Sequence, residues 1–387
     1  MSGTRRLQVF AGARLFDGLA LREDCALVVE DGVVREIAAF SKRPRGGAQH
    51  DLGGGVLAPG FVDWQVNGGG GVLFNATPTP EAIGAIAAAH RREGTTAILP
   101  TVITDAPETL AAALAAARAA VGTAPGAFGV HVEGPYIDAR RKGVHSAEFI
   151  RTMREKDAAQ LIAAEAGAMV VTVAPVAVGV DLIARLAAAG LIVSLGHAEA
   201  SAEEARAAFA AGACAATHLF NAMTQLSSRA PGLVGAALAD PRVVCGLIAD
   251  GDHVHEVAMR AAFNAKGAAG IALVSDAMPP AAGGPPVFAL QGRRMTRTGT
   301  RLISEDGALA GSAITLRDAV RNVVETLGLP LADALRMATS TPARLLRLDQ
   351  RIGRLAPGLR ADLVHLSDDL GLAGVWIGGR KEREAER

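Results

Sequence analysis

The chain has 387 residues with 39 Lys+Arg against 39 Asp+Glu, a balance that excludes the basic excess of a general nucleic-acid or anionic-membrane binder. Half of the residues are hydrophobic and only 20% are charged, which excludes a disordered chain. The three cysteines, Cys25, Cys214 and Cys245, form no CxxC pair, so neither a disulfide framework nor a thiolate zinc site is expected.

Short β-type runs open the chain at Leu7 to Phe16, Cys25 to Glu30 and Val33 to Ala38, punctuated by Asp17-Gly18 and Asp31-Gly32. From Phe61 the style changes. Apolar runs at Phe61 to Val66, Thr95 to Thr101, Ala127 to Val132 and Met169 to Ala174 alternate with Ala-rich helical segments. Leu191 to Leu195, Cys214 to Thr217, Val243 to Ala249 and Ile271 to Ser275 continue the series. Helices are predicted in the gaps, among them Pro80 to Glu93 and Ala202 to Ala211. Near-continuous apolar strands suit burial on both faces. Eight such repeats predict an α/β fold, a (β/α)8 TIM-like barrel, with a doubly wound open sheet as the runner-up. Strands return at Ala361 to Leu366 and Gly374 to Ile377. The predicted division is therefore a small β-sandwich domain from both ends, 1–58 with 350–387, around a catalytic barrel over 59–349. Gly283 to Pro286 is expected to open a flap. No signal peptide and no apolar run of about 18 residues is read, so a cytoplasmic protein without a membrane partner is expected.

Polar residues end the barrel runs. Glu133 ends the third, His197 the fifth and His218 the sixth; Asp250 and His253 follow the seventh, and Asp276 the eighth. Parallel barrel strands bring their C-terminal ends to one face, so these residues converge. His197 and His218 lie 21 residues apart, one strand–helix–strand step. Two imidazoles and a carboxylate match the protein ligands of a catalytic zinc. A nearby carboxylate such as Asp276 suits proton transfer between water and leaving group.

At these residues the chain resembles the N-acetylglucosamine-6-phosphate deacetylase family of the amidohydrolase superfamily. Pro59-Gly60-Phe61-Val62-Asp63 and Pro357-Gly358-Leu359-Arg360-Ala361-Asp362-Leu363 are similar to superfamily signatures. Val132-Glu133-Gly134-Pro135-Tyr136, Lys142-Gly143-Val144-His145, Ser194-Leu195-Gly196-His197 and Thr217-His218-Leu219-Phe220-Asn221-Ala222-Met223 are more specific. Ala249-Asp250-Gly251 with His253, and Val274-Ser275-Asp276-Ala277, complete the set. The resemblance implies hydrolysis of the acetamide of N-acetyl-D-glucosamine 6-phosphate to glucosamine 6-phosphate and acetate. It implies Glu133, His197 and His218 as metal ligands, Asp276 as acid and base, and His145 beside the acetyl carbonyl. It further implies substrate contacts from Val144, Asn221, Ala222, Arg229, His253 and a Leu309-Ala310-Gly311 backbone loop, with Arg229 the stronger phosphate contact. The cofactor it implies is one divalent ion per subunit, zinc first, with iron, manganese and cobalt as alternatives. It also implies a homodimer or dimer-based oligomer, in which Arg229 can reach a neighbouring subunit's substrate.

One departure stands out. Many superfamily members carry His-x-His after the first strand and hold two metals; here Gln65 and Asn67 occupy those positions. Amides are poor ligands beside imidazole, so a single-metal site is expected, with Gln65 or Asn67 orienting water or substrate. The fourth run ends at Val173-Ala174-Pro175 without the lysine that bridges metals in other members. Two alternatives remain at this point: an amidohydrolase for another N-acyl sugar or cyclic amide, and a non-catalytic sugar-phosphate binder.

Overall fold

The computed structural model describes residues 6–305 and 307–382. The ends of the predicted terminal domain, residues 1–5 and 383–387, lie outside the described residues. Eight parallel strands form the central sheet: β1 (Phe61–Val66), β2 (Thr95–Ile103), β3 (Gly129–Glu133), β4 (Ala168–Val173), β5 (Ile192–Leu195), β6 (Ala215–Ala216), β7 (Val244–Leu247) and β8 (Ile271–Leu273). They neighbour one another in chain order with no reversal, which a doubly wound sheet requires. Each predicted run holds one of them, because all are apolar and closed by helices. α1 (Pro80–Arg91) starts on a Thr79 side chain that accepts the Ala82 N–H at 3.2 Å, with Pro80 in its first turn. It buries Ile83, Ile86, Ala87 and His90 on the sheet side. α2 (Ala202–Ala210) starts on a reciprocal Ser201–Glu204 capping box.

The seam between β8 and β1 closes only at the C-terminal end. There the Asp276 N–H bonds the Gln65 carbonyl at 3.0 Å and the Gly68 N–H bonds the Ala277 carbonyl at 2.9 Å. Lower down, the Asp63 side chain does the work of a ladder, accepting the Ser275 N–H at 3.2 Å and the Gln65 N–H at 3.2 Å. Inside the barrel, Trp64 lies over Gly246, where an added Cβ would stand 2.7 Å from the indole.

Among the described residues Asp63 has no cationic partner, and burial pushes its carboxyl up to about 7 against the opposing bonds from Ser275 and Gln65. The native barrel therefore keeps a proton that the unfolded chain releases near pH 4, so stability falls as pH rises through the window from about 4 to 7. Asp63→Asn lacks this dependence. From pH 5 to pH 8 the wild type should lose about 2–3 kcal/mol relative to the variant, read as a widening gap in Tm. Parallel Tm profiles would mean that the carboxyl is ionised throughout.

The two ends of the chain build two further sheets. Val33–Ala39, Cys25–Glu30, Leu7–Ala11 and Ala48–Asp51 form a four-stranded sheet in that order. Arg380–Lys381, Leu372–Ile377, Leu363–Leu366, Val56–Pro59, Arg14–Phe16 and Leu21–Arg22 form a six-stranded one. Phe10, Leu27 and Val29 of the first share an apolar core with Leu15, Leu57, Leu363 and Trp376 of the second. The run predicted from Leu7 to Phe16 is two strands, because the chain passes from one sheet to the other at Gly12, whose φ is +84°.

A four-stranded antiparallel sheet follows β8: β9 (Val287–Leu290), β10 (Arg293–Thr298), β11 (Arg301–Ser304) and β12 (Leu309–Ser312). Leu290, Met295, Leu302 and Ala310 pack with Leu73, Ile103, Val144 and Met278. Leu309, Ala310 and Gly311, read from sequence as a loop, are therefore strand residues. The misreading has a physical cause: β12 is only four residues long and reads Leu-Ala-Gly-Ser, so it shows no β-branched or aromatic run. Among the described residues no helix is long and apolar enough to cross a membrane.

Candidate active site

Glu133, the last residue of β3, and His197 and His218, just past β5 and β6, meet at the C-terminal end of the barrel. Glu133 Oε1 lies 3.2 Å from His197 Nε2 and 2.9 Å from His218 Nε2, and the two nitrogens lie 3.0 Å apart. All three side chains are buried. His197 Nδ1 donates to the Arg141 carbonyl at 2.9 Å, so in the neutral ring Nε2 carries a lone pair aimed at a carboxylate. Three lone-pair donors facing one another are mutually repulsive until a cation joins them. Their separations are close to the roughly 3.3 Å edge of a tetrahedron with bonds of about 2.0–2.1 Å. The donor set thus fits a divalent metal, and among the described residues it is the one His/Cys/Asp/Glu group so arranged. Burial opposes ionisation of Glu133, but the facing His197 and His218 outweigh it and hold the carboxyl well below its ordinary value.

Asp276 follows β8 and faces this set. Its Oδ1 accepts the Asn67 amide at 2.6 Å and the Gln65 amide at 3.2 Å. Gln65 also donates to Glu133 at 3.3 Å, so it bridges the two carboxylates. Burial first, then the Glu133 charge, raises the Asp276 carboxyl above the ordinary carboxylate range. The amide oxygens of Gln65 and Asn67 are buried without a protein partner. His145 Nδ1 pairs with the Thr104 hydroxyl at 2.7 Å and accepts the Thr104 N–H at 3.4 Å, which leaves the proton on Nε2. Burial, then the neighbouring His197, keeps this ring neutral by lowering its pKa well below the ordinary value.

The backbone around these groups is unusual. His197, His218 and Asp276 have φ of +47°, +32° and +49°, and Phe220 and Ala222 have +77° and +51°. Left-handed backbone at non-glycine residues costs about 1–3 kcal/mol each and persists where surrounding structure holds it. Here the Leu219 N–H bonds the Gly246 carbonyl at 2.7 Å and the Ala198 N–H bonds the Ala222 carbonyl at 3.1 Å.

A cavity of about 340 Å³ opens over the donor set, within the range of small-molecule sites. Asn67, Val144, His145, Asn221, Ala222, His253, Leu309 and Gly311 line it with the donors and Asp276. A larger hollow of about 720 Å³ lies elsewhere, among Arg91, Phe128, Arg351 and Arg360, away from the donor group that Glu133, His197 and His218 form among the described residues. Volume alone does not mark the site.

Over residues 56–381 the sequence matches the amidohydrolase family. The chain belongs to the amidohydrolase family. Full-length relatives of this amidohydrolase agree. It is 41% identical over 379 residues to an N-acetylgalactosamine-6-phosphate deacetylase of Shewanella sp. (strain ANA-3), covering 97% of this chain and 96% of that protein. It is 34% identical over 366 residues to an N-acetylglucosamine-6-phosphate deacetylase of Haemophilus influenzae, covering 92% and 94%. The crystal structure of N-acetylglucosamine-6-phosphate deacetylase from Pasteurella multocida superimposes with a TM-score of 0.94 at 31% identity, covering 98% of this chain and all of that one.

The amidohydrolase barrel brings most of the predicted residues together, with exceptions. Arg229 is exposed on the loop after Asn221 and Ala222 and does not line the cavity. Ala310 is buried under β12 rather than in the cavity wall. Arg140 and Arg141, which sequence reasoning passed over, do line it. Arg140 pairs with Asp138 at 2.6 Å and Arg141 pairs with Glu199. Their position just before Gly143 in an arginine-rich turn was the available signal. His253 Nδ1 bonds Asp250 at 2.6 Å, and although burial opposes its charge, that carboxylate raises its pKa.

Proposed function

We propose that this amidohydrolase hydrolyses the acetamide of N-acetyl-D-glucosamine 6-phosphate, releasing acetate and the amino sugar phosphate. The observation that carries the reading is a buried carboxylate, Asp276, held by Asn67 and Gln65 beside a three-donor metal cradle in a chain related end to end to deacetylases of that class. Glu133, His197 and His218 would hold one divalent ion, zinc in the first place, with iron, manganese and cobalt as alternatives. Such an ion supplies Lewis-acid polarisation of the acetyl carbonyl and a lowered pKa for water. Asp276 Oδ2 takes the proton of the attacking water, while Asn67 and Gln65 hold its Oδ1. The neutral His145 offers Nε2–H to the carbonyl oxygen as charge develops there. Asp276 then returns the proton to the sugar nitrogen, completing amide cleavage.

His253, whose pKa rises against burial through its Asp250 contact, is the imidazole proposed for the phosphate, with Asn221, Ala222, Val144, Leu309 and Gly311 shaping the sugar site. Arg229, exposed and outside the cavity lining, is proposed to serve a phosphate from a neighbouring subunit of the proposed homodimer. The terminal segments, 1–58 with 350–387, are proposed as one domain that supports the barrel over 59–349; their common apolar core supports this.

The epimer N-acetyl-D-galactosamine 6-phosphate is the second reading, because two relatives, 41% and 37% identical, are named for it. Acetate release should be measured on both sugars, with and without chelator. Metal-dependent release from the gluco sugar is the expected result. Release unaffected by exhaustive chelation, or none from either sugar, would remove the proposal. Two tightly held ions per chain would overturn the single-metal assignment.

A further inference from the structure

Below the metal donors, the barrel interior carries polar side chains where branched apolar ones normally pack. The Thr101 Oγ1 on β2 accepts the Val66 N–H of β1 at 2.8 Å and meets His131 Nδ1 at 3.2 Å. His131 Nε2 on β3 meets Thr172 Oγ1 of β4 at 2.7 Å. Thr172 Oγ1 meets Thr217 Oγ1, just past β6, at 2.6 Å, and Thr217 meets Ser194 Oγ of β5 at 2.6 Å. Thr101, His131, Thr172, Ser194 and Thr217 are all fully buried. One unbroken line of hydrogen bonds thus crosses from β1 to β6.

The line runs directly beneath the donor set. His131 is two residues before Glu133 on the same face of β3. Thr172 pairs with Glu133 in the β3–β4 register, Ser194 is three residues before His197, and Thr217 immediately precedes His218. Thr172 and Thr217 also close on Gly196, where an added Cβ would stand 2.9 Å and 3.0 Å from them. A β-ladder sets the height of each strand but not the tilt of its side chains toward the axis. A hydrogen bond between inward side chains constrains that tilt, and losing one partner leaves the other buried and unpaired.

We propose that His131, through Thr172 and Thr217, is a positioning residue that holds Glu133, His197 and His218 convergent for metal. The inference rests on the metal reading of the donor set. A ring with one N–H and one bare nitrogen serves hydroxyls on both sides, which glutamine can imitate and leucine cannot.

The test measures zinc affinity by chelator competition and the visible absorption of the cobalt-substituted protein. His131→Leu should bind zinc about 10–100-fold more weakly, with an altered cobalt spectrum, as loss of outer hydrogen-bond partners typically does. His131→Gln should recover most of the affinity. Thr172→Val and Thr217→Val remove one hydroxyl each at nearly constant volume, so they test the line even where the leucine variant fails to fold. Each should weaken zinc binding, and the double variant should fall short of the product of the two effects. Folded valine variants with wild-type zinc affinity would overturn the proposal. Leucine and glutamine variants equally impaired would assign His131 to packing alone. A wild-type protein that binds no zinc would instead refute the metal reading itself.

Discussion

Asp276→Asn should fold, retain its metal and lose about 10²–10⁴-fold in kcat, the usual contribution of a positioned acid–base group. The asparagine fits the same space and its Oδ1 still accepts the Asn67 amide, so Asn67 and Gln65 keep their partner. What disappears is an oxygen able to take and return a proton. KM should change little, because the substrate contacts lie in other residues. Steady-state kinetics with metal analysis of the same sample checks this. Near wild-type turnover in the metal-loaded variant would assign the proton transfer to another group.

The second large effect is expected at Glu133. Glu133→Gln preserves shape but removes the charge that His197 and His218 face. Metal affinity should fall by more than the roughly 10–100-fold that loss of an outer partner costs, and turnover should fall with it. Excess metal should restore part of the activity, which separates lost affinity from lost chemistry. Metal content after dialysis and a metal titration of kcat are the measurements. Stoichiometric metal with wild-type turnover would remove Glu133 from the donor set.

The barrel and its site were legible in the sequence for one reason. Eight apolar runs alternate with helical segments and five of them end in ionisable residues, and in a parallel barrel the ends of such runs share a face. Glu133, His197, His218 and Asp276 needed only that topology to be placed together. The strands of the sheet that follows Gly283 to Pro286 were not legible, because Arg293 to Thr298 buries little but Met295 and pairs with Arg301 to Ser304 rather than with the barrel. Nor was the hydrogen-bonded role of Gln65. From sequence it was an amide where other members have histidine, and its bridge between Glu133 and Asp276 spans separations of 68 and 211 residues. The roles of Arg140 and Arg141 in the cavity wall were hidden for a different reason. Both are paired with carboxylates, Arg140 with the nearby Asp138 and Arg141 with the sequence-distant Glu199, so a charge count could not rank them.

The seam between the last and first strands has a consequence for when the protein acquires chemistry. A nascent chain that ends before β8 already holds Glu133, His197 and His218, but it lacks Asp276. Asn67 and Gln65, made early in synthesis, wait more than 200 residues for the carboxylate they orient. Because β8 docks on β1 through the very segment that carries Asp276, barrel closure and assembly of the proton-transfer group are one event. Catalytic competence therefore reports on completion of the ring.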